Sequence, residues 1–193
     1  MPFPEFDSER LRLVIARPGL EDALSRFFAE NFEGHLDRWS PPAPQGGHAA
    51  PYWERMLPLF EKEFEAGTSA RWVLLARGLA NPEVVGTCNF TQIARGPFRA
   101  CVLGYQVARA HEGRGLMHEA LSATLDYAFR ELRLHRVMAN FRPENERSAR
   151  LLERLGFVRE GYARDYLFID GAWRDHVLAS KTNPHFDNAW LRD

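Results

Sequence analysis

"HEGRGLMHEAL", residues 111–121, sets two glycines around an arginine and then enters a helical pattern. Gly113 and Gly115 free the backbone for positive φ or for close approach to another group. A helix starting here leaves its first amide N–H groups without intrahelical partners, and its dipole favours negative charge at that end. Arg114 adds a cation between the glycines. The stretch reads either as a bare turn or as a cradle for a phosphate or pyrophosphate. It lacks the Lys-Ser/Thr ending of a magnesium-dependent nucleotide loop, and His118 stands where a dinucleotide fingerprint needs its third glycine.

The pattern continues outward on both sides. Leu116, Ala120, Leu121, Thr124, Leu125, Ala128, Phe129 and Leu132 keep one face of a helix over about 115–133. "RACVLGYQVA" (99–108) before it and "HRVMANF" (135–141) after it read as strands. A strand-helix-strand crossover predicts that these two strands are parallel. Upstream, strands at 70–77 and 83–94 are joined by short turns, at Asn81-Pro82 and at residues 96–98, which predicts an antiparallel meander. Downstream, "RPENERSARLLERLGF" (142–157) predicts a helix closed by Gly156. Asp170-Gly171 then predicts a tight hairpin between strands at 157–169 and 172–182.

The N-terminal third is an alternating strand at 10–17, a helix at 18–32, a Pro- and Gly-dense loop at 40–51 and a helix at 52–67. Pro58 is expected to kink or split that second helix. Trp39, Tyr52, Trp53, Phe60 and Phe64 gather here, as a packed core or as the wall of a substrate cleft. The order β-α-α-β-β-β-α-β-α-β-β predicts an α/β fold, one mixed sheet with helices on its faces, in a single domain over 1–193 with its core at about 10–181.

The composition sets bounds. Of 193 residues, 45% are hydrophobic and 26% charged, with a net charge of −1, which gives no reason to expect nucleic acid or a membrane surface as partner. No apolar run nears the ~20 residues of a membrane helix, and the start shows no signal peptide. The expected location is the cytoplasm. Cys88 and Cys101, without metal spacing, read as reduced core thiols. No histidine has metal spacing with another ligand, so no metal is expected.

"NERSARLLERLGF" supplies a second polar helix start, with Asn145 and Ser148 in its first turn. Taken alone these residues could simply cap the helix. Yet two successive strand-helix units then present polar helix starts at one sheet edge, where open sheets bind ligands. The pair of motifs resembles the GNAT superfamily of acetyl-CoA-dependent N-acetyltransferases. Glu112-Gly113-Arg114-Gly115-Leu116-Met117 matches the family's phosphate loop, and Asn145 through Phe157 matches its following helix. "VVGTCNFTQIARGPFRACVLGY", "GRGLMHEAL", "HRVMAN" and "LLERLGFVREGYARDYLFIDGAWRDHVL" are most similar to the RimJ branch, the ribosomal-protein-alanine N-acetyltransferases, over most of 84–178.

The resemblance implies a central, mostly antiparallel sheet with helices on both faces, acetyl-CoA as cosubstrate, and 18–67 as a helical region on the acceptor side. It implies that Gln106, Val107 and Ala108 line the cofactor, with the Val107 amide at the thioester. It also implies that Gly113, Arg114, Gly115, Leu116, Met117, Asn145 and Ser148 hold the rest. Glu112 stands where the family carries Gln or Arg, so its side chain is expected to point away and backbone amides to dominate the grip. Leu152 occupies the position of the tyrosine that protonates the leaving thiolate in many relatives, so Ser148 is the matched acid, with Tyr105, Tyr162 and Tyr166 as alternatives. Glu160 matches the family's base. Asp165 and Asp175, with Glu160, could attract a cationic amino terminus.

The expected reaction is direct acetyl transfer, in a ternary complex, to the N-terminal alanine of a ribosomal protein, a small-subunit protein by resemblance. Two other readings stay open: an acetyltransferase for a small amine such as an amino acid, polyamine or aminoglycoside, and an acyl-CoA sensor without turnover. The sequence leaves the oligomeric state open.

Overall fold

The computed structural model describes residues 3–78 and 83–192. The Asn81-Pro82 turn lies outside the described residues. Eight strands form one sheet: β1 (Glu5–Asp7), β2 (Leu11–Ile15), β3 (Ala70–Ala76), β4 (Val84–Ala94), β5 (Ala100–Val107), β6 (Arg136–Met138), β7 (Val158–Ile169) and β8 (Ala172–Thr182). The order across the sheet is β1-β2-β3-β4-β5-β6-β8-β7. Among the described residues only β5 and β6 pair in parallel; every other neighbouring pair is antiparallel. The meander and the parallel crossover are therefore as expected. Strand β1 is an addition; it extends the sheet edge by pairing Glu5 with Val14 and Asp7 with Arg12.

Four α-helices cover the sheet: α1 (Glu21–Asn31), α2 (Ala50–Glu65), α3 (Leu116–Arg130) and α4 (Glu146–Arg154). Alternation along the strands splits the core in two. On one face Leu11, Leu13, Trp72, Leu74, Cys88, Phe90, Cys101 and Leu103 meet Leu121, Leu125, Leu151 and Leu152 of α3 and α4. On the other, Val14, Val73, Leu75 and Val84 meet Leu24, Phe27 and Phe28 of α1 and Trp53 and Leu57 of α2. Helix α2 continues through Pro58 as one helix, so of the expected kink or split the split does not occur. Buried Trp53 and Leu57 anchor it just ahead of the proline, and burial of two large side chains exceeds the loss of one helical hydrogen bond.

Two local features match the turn chemistry of the sequence. Asp170 and Gly171 both have positive φ, 52° and 70°, as a type I′ hairpin turn needs. Gly156 has φ 81° just past the end of α4, the left-handed position that favours glycine.

Leu121 is fully buried where α3 meets the sheet. Leu121→Ala should cost about 2–5 kcal/mol of folding stability, to be measured by urea unfolding; a change within experimental error would mean that α3 does not anchor the core.

Candidate active site

The pairing of β5 with β6 is short. It covers Ala100↔Arg136, Cys101↔Val137 and Val102↔Met138, and then ends. Beyond Met138 the chain keeps the register with β8 that β6 already has, but loses β5: Ala139 N–H donates to Ala179 O at 2.9 Å and Phe141 N–H to Val177 O at 3.1 Å. Strand β5 continues to Val107 beside β4. The two strands thus diverge, and among the described residues one edge of β5 is left without a strand.

Strand geometry decides which groups line that edge. Gln106 O faces β4, because a Cβ added at Gly86 would lie 2.5 Å from it. Ala108 N–H also faces β4, donating to Val85 O at 2.9 Å. Successive peptide groups alternate sides in an antiparallel strand. The N–H and C=O of Val107 therefore point into the split. Of the three residues expected to line the cofactor with their main chain, Val107 meets the requirement. The Ala108 amide is already engaged, and the Gln106 side chain donates to Ser40 Oγ at 2.7 Å.

The glycine turn stands at the end of the split. A single helical turn, Arg109–His111, leads from β5 into it. Gly113 and Gly115 take φ of 72° and 77°, and Gly115 caps α3 without a side-chain bond. The Leu116 and Met117 side chains are buried, so these residues offer backbone amides to the cleft. Arg10 braces the turn from β2: Nη1 donates to Arg114 O at 2.8 Å and Nε to Glu119 Oε2 at 2.8 Å. Burial raises the Glu119 pKa, but hydrogen bonds from Ser8 and Arg10 outweigh it and hold the carboxyl below its ordinary range. The Glu112 carboxylate, the wrong charge for an anion cradle, is ion-paired with Arg147 of α4. That pair ties the second helix start to the first.

At the second start, Asn145 Oδ1 accepts Ser148 N–H at 3.1 Å, so the side chain caps α4. Ser148 Oγ lies 2.5 Å from Tyr105 Oη, across from β5. Burial pushes the Tyr105 phenol up to about 12, with its bond to Ser148 acting in the opposite sense. The phenol is thus protonated at neutral pH, and the pair is a proton store reaching toward the split.

The segment after α1 closes the opposite side of the cleft. A turn at Phe32–Leu36, opened by Gly34 at φ 68°, carries His35, whose Nε2 lies 3.1 Å from Val107 O. Trp39 is flanked by Arg38 and by Arg142, with guanidinium carbons 5.5 and 5.3 Å from its ring. From the far side Asn140 Nδ2 donates to Tyr166 Oη at 2.8 Å, and the Tyr166 ring lies 5.1 Å from His176. Together these elements bound a cleft of about 1730 Å³. His35, Ser40 and Arg142 escape sequence reasoning, because the helical pattern of α1 breaks at Gly34 and no motif marks the segment beyond it.

Glu160, the residue expected as the base, is not among the residues that line this cleft. Its carboxylate accepts Arg136 Nη1 at 2.7 and 2.8 Å, and Arg136 opens β6 at the end away from the split. The bonds from Arg136 and Ser180 hold its pKa below the ordinary glutamate range, so as placed it is a poor proton acceptor. Tyr162 is likewise tied up, donating to Asp175 at 2.6 Å on the exposed hairpin. The thiols of Cys88 and Cys101 are pushed up to about 12 by burial, which leaves them unreactive at neutral pH. Among the described residues no group of three or more His, Cys, Asp or Glu side chains could hold a metal ion, and no helix is long and apolar enough to cross a membrane.

Known proteins share this arrangement. Residues 12–158 match the model of the acetyltransferase (GNAT) domain. The [ribosomal protein uS5]-alanine N-acetyltransferase of Escherichia coli (strain K12) is 41% identical over 178 residues, covering 90% of this chain and 89% of that one. The crystal structure of ribosomal-protein-S5-alanine acetyltransferase from Vibrio fischeri superposes with a TM-score of 0.90 at 31% identity, over 95% of this chain and 99% of that one. Mycobacterium smegmatis RimJ, solved in complex with CoA-disulfide, superposes with a TM-score of 0.83 at 31% identity, over 94% and 86% of the two chains. The splayed strands, the paired helix starts and these similarities lead to one conclusion: the chain belongs to the GNAT acetyltransferase family.

Proposed function

We propose that this protein transfers the acetyl group of acetyl-CoA directly to the N-terminal alanine amine of a ribosomal protein. The observation that carries the reading is the split itself. Val107 aims a free amide into it, and two helix starts stand at its end. Similarity to the uS5- and S5-alanine acetyltransferases supports the choice of acceptor. The cleft volume of about 1730 Å³ exceeds the ~300–1,000 Å³ usual for a small-molecule site, which suits a nucleotide thioester and a peptide end together. We take the whole chain, 1–193, as one catalytic domain, with 18–67 forming its acceptor side.

The residues present fit the cosubstrate. The amides around Gly113, Gly115, Leu116 and Met117, with Arg114, suit a pyrophosphate. The exposed edge of β5 suits an amide-containing chain laid alongside it as an added strand. Acetyl-CoA supplies an activated acyl carbon and a thiolate leaving group. Val107 N–H is a fixed donor for a carbonyl oxygen that gains charge. Ser148 is placed to give a proton to the departing sulfur, and Tyr105 to replace it from a phenol that stays protonated. No covalent intermediate on the enzyme is needed, in keeping with two inert thiols.

Thiol release from acetyl-CoA, with products weighed by mass spectrometry, tests the acceptor. An alanine-starting peptide from a ribosomal protein should gain one acetyl group, whereas spermidine, amino acids and aminoglycosides should react far more slowly. Turnover of small amines alone would overturn the acceptor, and CoA binding without turnover would point to a sensor.

Two substitutions test the machinery. Ser148→Ala should lower kcat about a hundredfold, the lower end for a positioned general acid, with little change in the KM for acetyl-CoA; Tyr105→Phe should act in the same direction but more weakly. Gly115→Val forces a branched side chain into a left-handed position at a cost of about 1–2 kcal/mol. Roughly a tenfold rise in KM for acetyl-CoA is expected from it, read by initial rates; an unchanged KM would remove the turn from the binding site.

A further inference from the structure

Acetyl transfer needs an amine that has lost a proton. Glu112 and Glu119 line the cleft but are held by Arg147 and Arg10, and Glu160, outside it, is held by Arg136. A different group stands at the transfer point. His35 lines the cleft, half-buried, on the turn after α1. Its Nε2 lies 3.1 Å from Val107 O. A carbonyl oxygen can only accept, so this contact puts the ring proton on Nε2 and leaves the lone pair on Nδ1. Among the described residues Nδ1 has no hydrogen-bond partner.

The position matters as much as the tautomer. The N–H and C=O of Val107 point into the same split. One residue therefore carries the donor proposed for the thioester oxygen and, through its carbonyl, the anchor that fixes the imidazole. A base oriented by a third group next to an oxyanion donor is the arrangement that activates a nucleophile in acyl transfer. We infer that His35 is the catalytic base that takes the proton of the acceptor amine. The inference rests on the acetyltransferase reading but not on the identity of the acceptor.

Protons and electron pairs balance in this step. The ammonium gives one proton to Nδ1, which makes an imidazolium that later returns it to solvent. The freed lone pair forms the C–N bond as the C–S bond breaks. The sulfur leaves with the pair of the broken C–S bond and takes a proton through Ser148, which is resupplied from solvent through Tyr105. The second proton of the newly acylated nitrogen passes to water. The charged groups around His35 are Glu33 and Asp37 on its own turn, Arg38 just beyond it, and Arg109 at the end of β5. Asp37 Oδ2 accepts Gly34 N–H at 2.9 Å, and the Arg109 guanidinium donates to Gly34 O. These contacts fix the turn without occupying Nδ1.

The test is a pH profile of kcat for the full-length protein, read with whichever amine it accepts. The wild type should lose activity on acidification with a one-proton limb. His35→Gln keeps an N–H that can reach Val107 O but has no titratable base. It should lower kcat about a hundredfold and flatten the acid limb, while CoA binding by calorimetric titration stays within about twofold. His35→Ala should lose the limb too and regain rate with added imidazole. An acid limb that survives in His35→Gln, and above all one that vanishes in Glu160→Gln instead, would overturn the inference. A wild type that acetylates only small amines would sink the ribosomal acceptor while leaving the His35 profile readable; one with no turnover would sink both.

Discussion

Three residues of parallel pairing between β5 and β6 are the constraint on which this molecule is built. A parallel pair must share its register for its whole length, or one strand must leave. Here the chain after Met138 stays with β8, its partner on the other edge, while β5 keeps going beside β4. Polar main-chain groups at a sheet edge demand partners. At this edge the turn after α1 supplies one, His35, to Val107 O. The Val107 amide is left open in the same gap. A site for an amide-bearing ligand is thus a by-product of the way the sheet comes apart, and the glycine turn sits at its end because it is the next segment of chain after the abandoned strand.

Ion pairs around the turn serve geometry more than stability. Most of these charges are partly exposed: the Arg147 side chain is 72% and the Arg10 side chain 45% exposed, and such pairs are worth about 0–1 kcal/mol. Their effect is to dispose of negative charge. Glu112 and Glu119 flank the proposed anion site, and each is paired with an arginine from another segment, Arg147 of α4 or Arg10 just before β2. With both carboxylates answered, the amides at the α3 start set the local potential. The apparent misfit of Glu112 in the sequence becomes a tether between the two helices whose starts must stay level.

How much could be read in advance depends on the range of the interaction. Asp170-Gly171, Gly156, Gly113 and Gly115 were legible because backbone dihedrals are local, and the α3 face because its period is. The parallel crossover was legible because handed connections admit few alternatives. The early end of β6 was not. Its residues 139–141 keep a strand pattern and stay with β8, and nothing local marks where β5 parts from them. The surroundings of Glu160 were not legible either: its motif matches a family position, but Arg136, 24 residues earlier, holds its carboxylate. His35 could not be found at all, since a single histidine past a broken helix carries no period and no spacing. At Pro58 the helix does not split, a local tendency met by the burial of Trp53 and Leu57.

The groups proposed as proton donor and base occupy opposite environments, and strand geometry explains how. Tyr105 and Val107 are two apart on β5, so about 7 Å separates them along one edge. Tyr105 turns its side chain into the α3 and α4 layer, where burial lifts the phenol to about 12 and keeps it a donor. Val107 holds its carbonyl toward the turn after α1, where a half-buried imidazole can exchange protons with water. One strand thus sends a side chain into a helix layer at one position and a carbonyl into an open cleft two residues later. The second of these depends on the divergence, because a strand paired alongside would cover the Val107 carbonyl.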